Sequence, residues 1–155
     1  MTSHPSSKTL VVKTSTLPNA GNGLFTKVDF KKGDIITEYK GRRRTWAQVE
    51  DDVHNGYIYH IDDDNVIDAL KNINTFGRYA NDAAGLARVS GLRNNAEYFE
   101  ENNRVFIRAT RNIATGREVL VSYGRLYWKQ VRENMLEDME DGKHHEHQAP
   151  EIEQR

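Results

Sequence analysis

The chain contains no cysteine. That excludes a disulfide framework, a thiolate nucleophile and any cysteine-ligated zinc site, and it fits an intracellular protein. It has only three prolines and no uninterrupted run of about 18 apolar residues, so nothing in it reads as a membrane span. Residues Met1 to Ser7 are polar, lack the apolar centre of a signal peptide and read as a flexible N-terminus. A strong charge of one sign is missing too. The net charge is −1, with eight acidic residues against Lys143 and Arg155 between positions 133 and 155, a local −6 that leaves +5 on the first 132 residues. The body is too weakly basic to argue for direct nucleic-acid binding. Residues 133–155 read as an acidic, helical-to-disordered tail.

What is present is enough chain for one domain: 155 residues can bury a sizeable core but not two ordinary ones. Short β-branched and aromatic stretches recur at Leu10–Val12, Gly23–Thr26, Ile35–Tyr39, Tyr57–Ile61, Val66–Ala69, Arg104–Ala109 and Val119–Tyr123. Asp62-Asp63-Asp64-Asn65 predicts a hairpin turn, and Ala114-Thr115-Gly116 a turn before the last strand. Thr45 followed by Gln48 has the spacing of a capping box, which predicts a helix from Thr45 to Gly56 with Trp46, Val49 and Val53 on one face. A second helix is expected from Leu126 towards Met139, with Trp128, Val131, Met135 and Met139 at helical spacing. Many short strands with two or three helices define an α+β class, mainly β and mainly antiparallel.

Five signals then stand in fixed order. They are Gly21-Asn22-Gly23-Leu24-Phe25, Lys32-Gly33-Asp34-Ile35-Ile36-Thr37-Glu38-Tyr39-Lys40-Gly41, Ile67-Asp68-Ala69, Gly77-Arg78-Tyr79-Ala80-Asn81, and Gly116 to Gly124 with Ser122-Tyr123-Gly124 at its end. Each has a bland reading: Asn-Gly makes an inexpensive turn, and a lone tyrosine in a strand is usually a half-buried ring. Taken together and in order, they resemble the SET-domain family of protein-lysine methyltransferases, over roughly Lys8 to Lys129.

The resemblance implies a SET-like fold of several small antiparallel sheets with a C-terminal knot-like substructure. The domain would span 8–132, with 42–75 as the variable insert that helps set substrate choice. It implies S-adenosylmethionine as methyl donor, approached closely by the backbone at Gly21, Asn22, Gly23 and Leu24. Arg78, Asn81 and Asp82 would lie in the donor-binding loop. Asn81 would hold the amino-acid end of the donor, and Asp82-Ala83 replaces the His-Ser of the family pattern. Trp128 is the candidate cover for the adenine. Tyr39 and Tyr98 would wall the lysine channel, and Tyr123 matches the catalytic tyrosine.

Tyrosines suit that chemistry. A lysine ammonium with a pKa of about 10.4 lies roughly 3.4 units from neutrality at pH 7, a handicap of about 4.6 kcal/mol, and only the amine attacks a methyl carbon. An aromatic, water-poor channel beside a sulfonium disfavours the ammonium, and phenol oxygens orient the amine. A phenol of pKa about 10 is a poor base at pH 7, so Tyr123 is assigned to orientation, with the proton leaving through water.

The expected partner is a lysine-containing protein or peptide, a histone or another protein. The expected location is the nucleus in a eukaryote and the cytoplasm otherwise. No metal is expected: His144-His145-x-His147 lies in the acidic tail, and Lys40 to Arg44 reads as a solvated basic turn. The alternative is a non-catalytic SET-like interaction module, favoured by Asp82-Ala83 and opposed by Tyr39, Asn81 and Tyr123.

Overall fold

A computed structural model describes residues 6–84 and 89–123, together with Asn134, Leu136 and Met139. Its framework is three antiparallel sheets of three strands each. In the first, β1 (Leu10–Thr14), β2 (Asn22–Thr26) and β9 (Glu118–Val119) lie in the order β1-β2-β9. The second orders β3 (Ile35–Glu38), β8 (Arg104–Ala109) and β7 (Ala96–Glu101) as β3-β8-β7. The third orders β4 (Arg42–Arg44), β6 (Asn65–Asp68) and β5 (Ile58–Asp62) as β4-β6-β5. The α+β, mainly antiparallel class expected from the sequence is the one observed.

Alternation decides the faces. In β8, Val105, Ile107 and Ala109 are buried while Arg104 is exposed, the period-two pattern of a half-covered sheet. β2 is buried at every position after Asn22, because β1 and β9 flank it on both edges and the largest core cluster packs on Leu24. That cluster also takes in Leu10, Ile107, Val119 and Val121; a second is built on Tyr39, Tyr57, Ile67 and Val105. Tyr98 packs against both.

Several expectations change. Arg42–Arg44, read as a solvated turn, is β4: it pairs with β6 through Arg42↔Asp68, Arg43↔Ile67 and Arg44↔Val66. Strand pairing satisfies the backbone while the long side chains reach out to Asn103, Asp68 and Gln48. The helix expected to reach Gly56 is one turn, α2 (Trp46–Val49). Its start is as read, with the Thr45 N–H donating to Gln48 Oε1 at 2.9 Å. Only Val49 is buried, however; Trp46 meets His60 edge-on at 5.4 Å, and Val53 is exposed. Ser6–Thr9 forms one helical turn, α1, where the chain was expected to be loose through residue 7. Asn134, Leu136 and Met139 are helical, but Leu136 and Met139 are exposed and Asn134 is the buried one, donating to the Val53 carbonyl at 2.8 Å.

The last stretch positions the site. β9 pairs with β2 for only two residues, Leu24↔Val119 and Phe25↔Glu118. Beyond it, Leu120 bridges Asn81 and Val121 bridges Ala96, both in parallel sense. Residues 118–121 therefore pass between the Asn81 turn and the start of β7. Asn95 grips the passage from the side: its Nδ2 donates to the Glu118 carbonyl and its Oδ1 accepts the Leu120 N–H, each at 2.9 Å.

Candidate active site

The site grows from one short turn, Ala80-Asn81-Asp82, which follows the 3₁₀ segment Gly77–Tyr79. Tyr123 is held to this turn at both ends. Its N–H donates to Asp82 Oδ2 at 2.8 Å, and its phenol O–H donates to the Ala80 carbonyl at 2.5 Å. The main chain and the ring tip of one tyrosine are thus fixed by residues two apart. The buried Asp82 carboxylate also accepts the Ala84 N–H at 2.8 Å and Asn94 Nδ2 at 2.9 Å through Oδ1. Asn94 Oδ1 in turn accepts the Ala83 N–H at 2.8 Å. Asp82, which stands where the SET pattern has histidine, carries the loop through its side chain.

Asn81 faces the other way. Its buried Nδ2 donates to the Asn22 carbonyl at 3.0 Å and lies 3.4 Å from Glu118 Oε2. Both neighbours are acceptors, which fixes the amide orientation. The turn it meets, Gly21-Asn22-Gly23, is shaped by backbone needs. Gly21 has φ of 67°, the left-handed region that glycine occupies without strain, and its carbonyl accepts the Ser15 N–H at 2.8 Å. At Gly23 an added Cβ would collide with Glu118 Oε2. Gly21 and Asn22 are exposed, whereas Leu24 is fully buried, so Leu24 offers the site only its backbone while its side chain fills the core.

Glu118 is the residue that sequence reasoning quoted inside a motif without giving it a task. It is buried, and its carboxylate accepts from Ser15 Oγ at 2.7 Å, the Thr16 N–H at 2.9 Å and Thr16 Oγ1 at 2.5 Å, besides approaching Asn81. A single carboxylate thereby ties the loop after β1, the glycine turn and the Asn81 turn together. Its only sequence signal was a charge placed between Gly116 and the apolar run from Val119, where a half-buried strand would ordinarily offer a solvated residue.

Tyr123 opens onto a group of rings. It stacks on Tyr98 with centroids 6.4 Å apart and planes at 23°. Tyr98 meets Tyr39 edge-on at 5.8 Å and Tyr59 at 5.3 Å, while Tyr39 and Tyr59 lie 6.2 Å apart. The three expected tyrosines come together, and Tyr59, which no motif marked, joins them from β5. Tyr39 is buried and its hydroxyl donates to the Tyr57 carbonyl at 2.7 Å. The Tyr59 hydroxyl donates to Glu100 Oε2 at 2.9 Å. Burial first, then the Glu100 carboxylate, pushes the Tyr59 phenol above its ordinary pKa, so it stays protonated at neutral pH.

Arg78 is held within the fold. Its buried guanidinium donates to the Ala69 and Leu70 carbonyls at 3.0 and 3.1 Å and lies over the rings of Tyr57 and Tyr79. It pins the 3₁₀ segment to the end of β6, so its link to the glycine turn is indirect. Trp128 lies outside the described residues. Among the described residues no group of three histidine, aspartate or glutamate side chains is placed to hold a metal ion, and no helix is long and apolar enough to cross a membrane.

Residues 21–124, from the glycine turn to the residue after Tyr123, match the SET domain family model. The chain belongs to the SET domain family. It is 29% identical over 115 residues to histone-lysine N-methyltransferase set-1 of Caenorhabditis elegans, a match that covers 67% of this chain and 46% of that protein. The chain thus spans about half the length of that relative. In three dimensions this SET domain resembles the methyltransferase domain of human PR domain-containing protein 2, with a TM-score of 0.51 and 21% identity over 75% of this chain and 77% of the other. That likeness concerns the fold.

Proposed function

We propose that this SET domain transfers a methyl group from S-adenosylmethionine to a lysine side chain of a protein, with a histone as the first substrate to test. The observation that carries the reading is the double attachment of Tyr123 to the Ala80-Asn81-Asp82 turn, with the glycine turn on one side and the tyrosine rings on the other.

The residues suit a donor with an amino-acid end. The Asn81 amide nitrogen is committed to Asn22 and Glu118, which turns its Oδ1 into the acceptor available for an ammonium. Gly21 and Asn22 are exposed, so their backbone is open to the approach of a ligand. S-adenosylmethionine, when bound, supplies an electrophilic methyl on a sulfonium. Asn81→Ala should weaken donor binding in calorimetry by roughly 1–3 kcal/mol, the cost of losing a buried polar partner. Donor binding of undiminished strength in that variant would detach Asn81 from the donor site.

On the lysine side, the rings of Tyr39, Tyr59 and Tyr98 would pack on the alkyl stem and exclude water. Exclusion favours the neutral amine over the ammonium. Tyr123 gives its hydroxyl hydrogen to Ala80, so towards a substrate its oxygen acts as a fixed acceptor that aims the amine's N–H groups. It is not the base; the amine's proton leaves to water. Incubating the protein with isotopically labelled donor and a panel of histones and other lysine-rich proteins tests the reading. Label on a defined lysine is the expected outcome, and donor binding with no label on any protein of the panel would move the reading to an interaction module.

A further inference from the structure

Among the described residues the arginines differ in whether they have a partner. Arg43, Arg44, Arg78, Arg104 and Arg108 are each bonded to a carbonyl or a carboxylate. Arg93, Arg111 and Arg117 have no such partner among the described residues, and all three line one cavity of about 360 Å³. They reach it from three separate segments: the stretch before β7, the turn after β8 and the turn before β9. Arg42, on β4, likewise has no such partner among the described residues and stands outside the cavity lining.

The cavity is not the tyrosine site, since none of the clustered rings lines it. Its lining contains a single carboxylate, Glu118, which is buried and hydrogen-bonded by Ser15, Thr16 and Asn81, so the three arginines leave the lining with a formal charge of +2. Phe25 and Ile113 supply a buried apolar floor. Three arginines without an ion-pair partner among the described residues, lining one concave surface with an excess of positive charge, form a field that attracts anions. Guanidinium forks match the oxygens of phosphate and carboxylate in paired hydrogen bonds. One planar carboxylate uses a single fork, whereas a tetrahedral dianion offers oxygens to several at once. The volume also falls within the range of about 300–1,000 Å³ for small-ligand sites, larger than a bare anion needs.

We infer that Arg93, Arg111 and Arg117 form a binding site for a phosphate monoester, with the apolar floor taking the group that carries the phosphate. The phosphate could belong to a phosphorylated side chain of a protein or to a free small molecule. The site is independent of methyl transfer and is read by binding alone.

Nuclear magnetic resonance titration of the whole chain, following the arginine Nε–H signals, tests it with three probes: a phosphoserine peptide free of other charges, its unphosphorylated twin, and inorganic phosphate. At least one phosphorylated probe should shift the three arginine signals saturably while the twin does not. Each of Arg93→Gln, Arg111→Gln and Arg117→Gln should weaken that binding about tenfold or more, as expected for loss of a charge-assisted contact. Arg42→Gln should leave it unchanged, and rising salt should weaken it. These side chains are exposed and have no hydrogen-bond or ion-pair partner among the described residues, so the variants should melt like the parent. A peptide that binds more tightly than inorganic phosphate assigns the site to a protein partner; equal affinity assigns it to a free anion. No saturable shift from either phosphorylated probe, equal binding of the twin, or equal weakening by Arg42→Gln would overturn the proposal.

Discussion

Tyr123 sits on the seam between two regions built on opposite principles. On one side the junction of the glycine turn, the Asn81 turn and residues 118–121 is held by polar side chains: the buried Glu118, Asn81 and Asp82 and the half-buried Asn94 and Asn95 each bond groups outside their own turn. On the other side Tyr39, Tyr59 and Tyr98 gather through ring contacts over a shared core. A polar junction is directional, and deleting one member strands its partners without water. A ring cluster is tolerant, because apolar contacts survive a change of shape at modest cost. The junction sets geometry, and the rings set an environment.

The contrast is broken most directly at Glu118. Glu118→Ala removes the acceptor shared by the half-buried Ser15 hydroxyl, the exposed Thr16 and the buried Asn81 amide, so unfolding in denaturant should show a loss of about 2–3 kcal/mol. The midpoint should fall with little change in slope. A loss no larger than that of an exposed glutamate would show that the junction is not held by this carboxylate.

Tyr123→Phe probes the seam itself. The variant keeps the ring on Tyr98 and the backbone bond to Asp82, and loses the hydroxyl fixed on Ala80. Folding and donor affinity should change little, while turnover should drop on the order of 10²-fold, as for loss of one positioned polar group in a water-poor site. Parent-like turnover would remove Tyr123 from the catalytic machinery.

The two regions were not equally legible in the sequence. The glycine turn before β2 and the β5–β6 hairpin at Asp63-Asp64 follow from local rules of turn chemistry and alternation, whereas the strand expected over Val119–Tyr123 is only β9 at Glu118–Val119, continued by single bridges at Leu120 and Val121. Tyr59 and Glu118 were missed because their partners are remote: Tyr98 and Glu100 lie on another sheet, and Ser15 is 103 residues from Glu118. β4 was missed because three successive arginines look solvated until the pairing with β6 and the Arg44–Asp68 contact at 2.9 Å are known. β7 escaped for a related reason. Ala96–Glu101 is rich in glutamate, and Glu97 is neutralised only by Arg108, its cross-strand neighbour. The expected helix to Gly56 ran too long because its cap was real and nothing local marked where tertiary packing would end it.

Tolerance on the ring side can be measured at Tyr98, which packs against both cores. Tyr98→Leu keeps apolar volume and loses the contacts with Tyr39, Tyr59 and Tyr123. Stability should fall by about 1 kcal/mol, the usual worth of aromatic pairing beyond area. The expected signature is a small shift in melting temperature together with a larger rise in KM for a lysine peptide. A loss as large as that of Glu118→Ala would erase the distinction between the two regions.

The smallest effect concerns Asp68, at the end of β6 in the sheet carrying Tyr59. Burial alone would raise the Asp68 pKa, but hydrogen bonds from Asn55, the Leu70 N–H and Arg44, together with the Arg44 charge, outweigh it and hold the carboxyl below its ordinary value. A depressed pKa in the folded state means that the unfolded chain takes up the proton first as pH falls. The contribution of Asp68 is therefore complete above its unfolded pKa of about 4 and is lost as pH drops through the lower folded value. At neutral pH, Asp68→Asn should cost a modest amount of stability. Below pH 4 the difference between parent and variant should shrink, because the parent has then lost the same charge. Thermal melts of both proteins between pH 7 and pH 3 would show the two curves converging towards acid. Parallel curves over that range would mean that Asp68 gains nothing from its ionised form, and that β6 is held by its strand pairing with β4 and β5 alone.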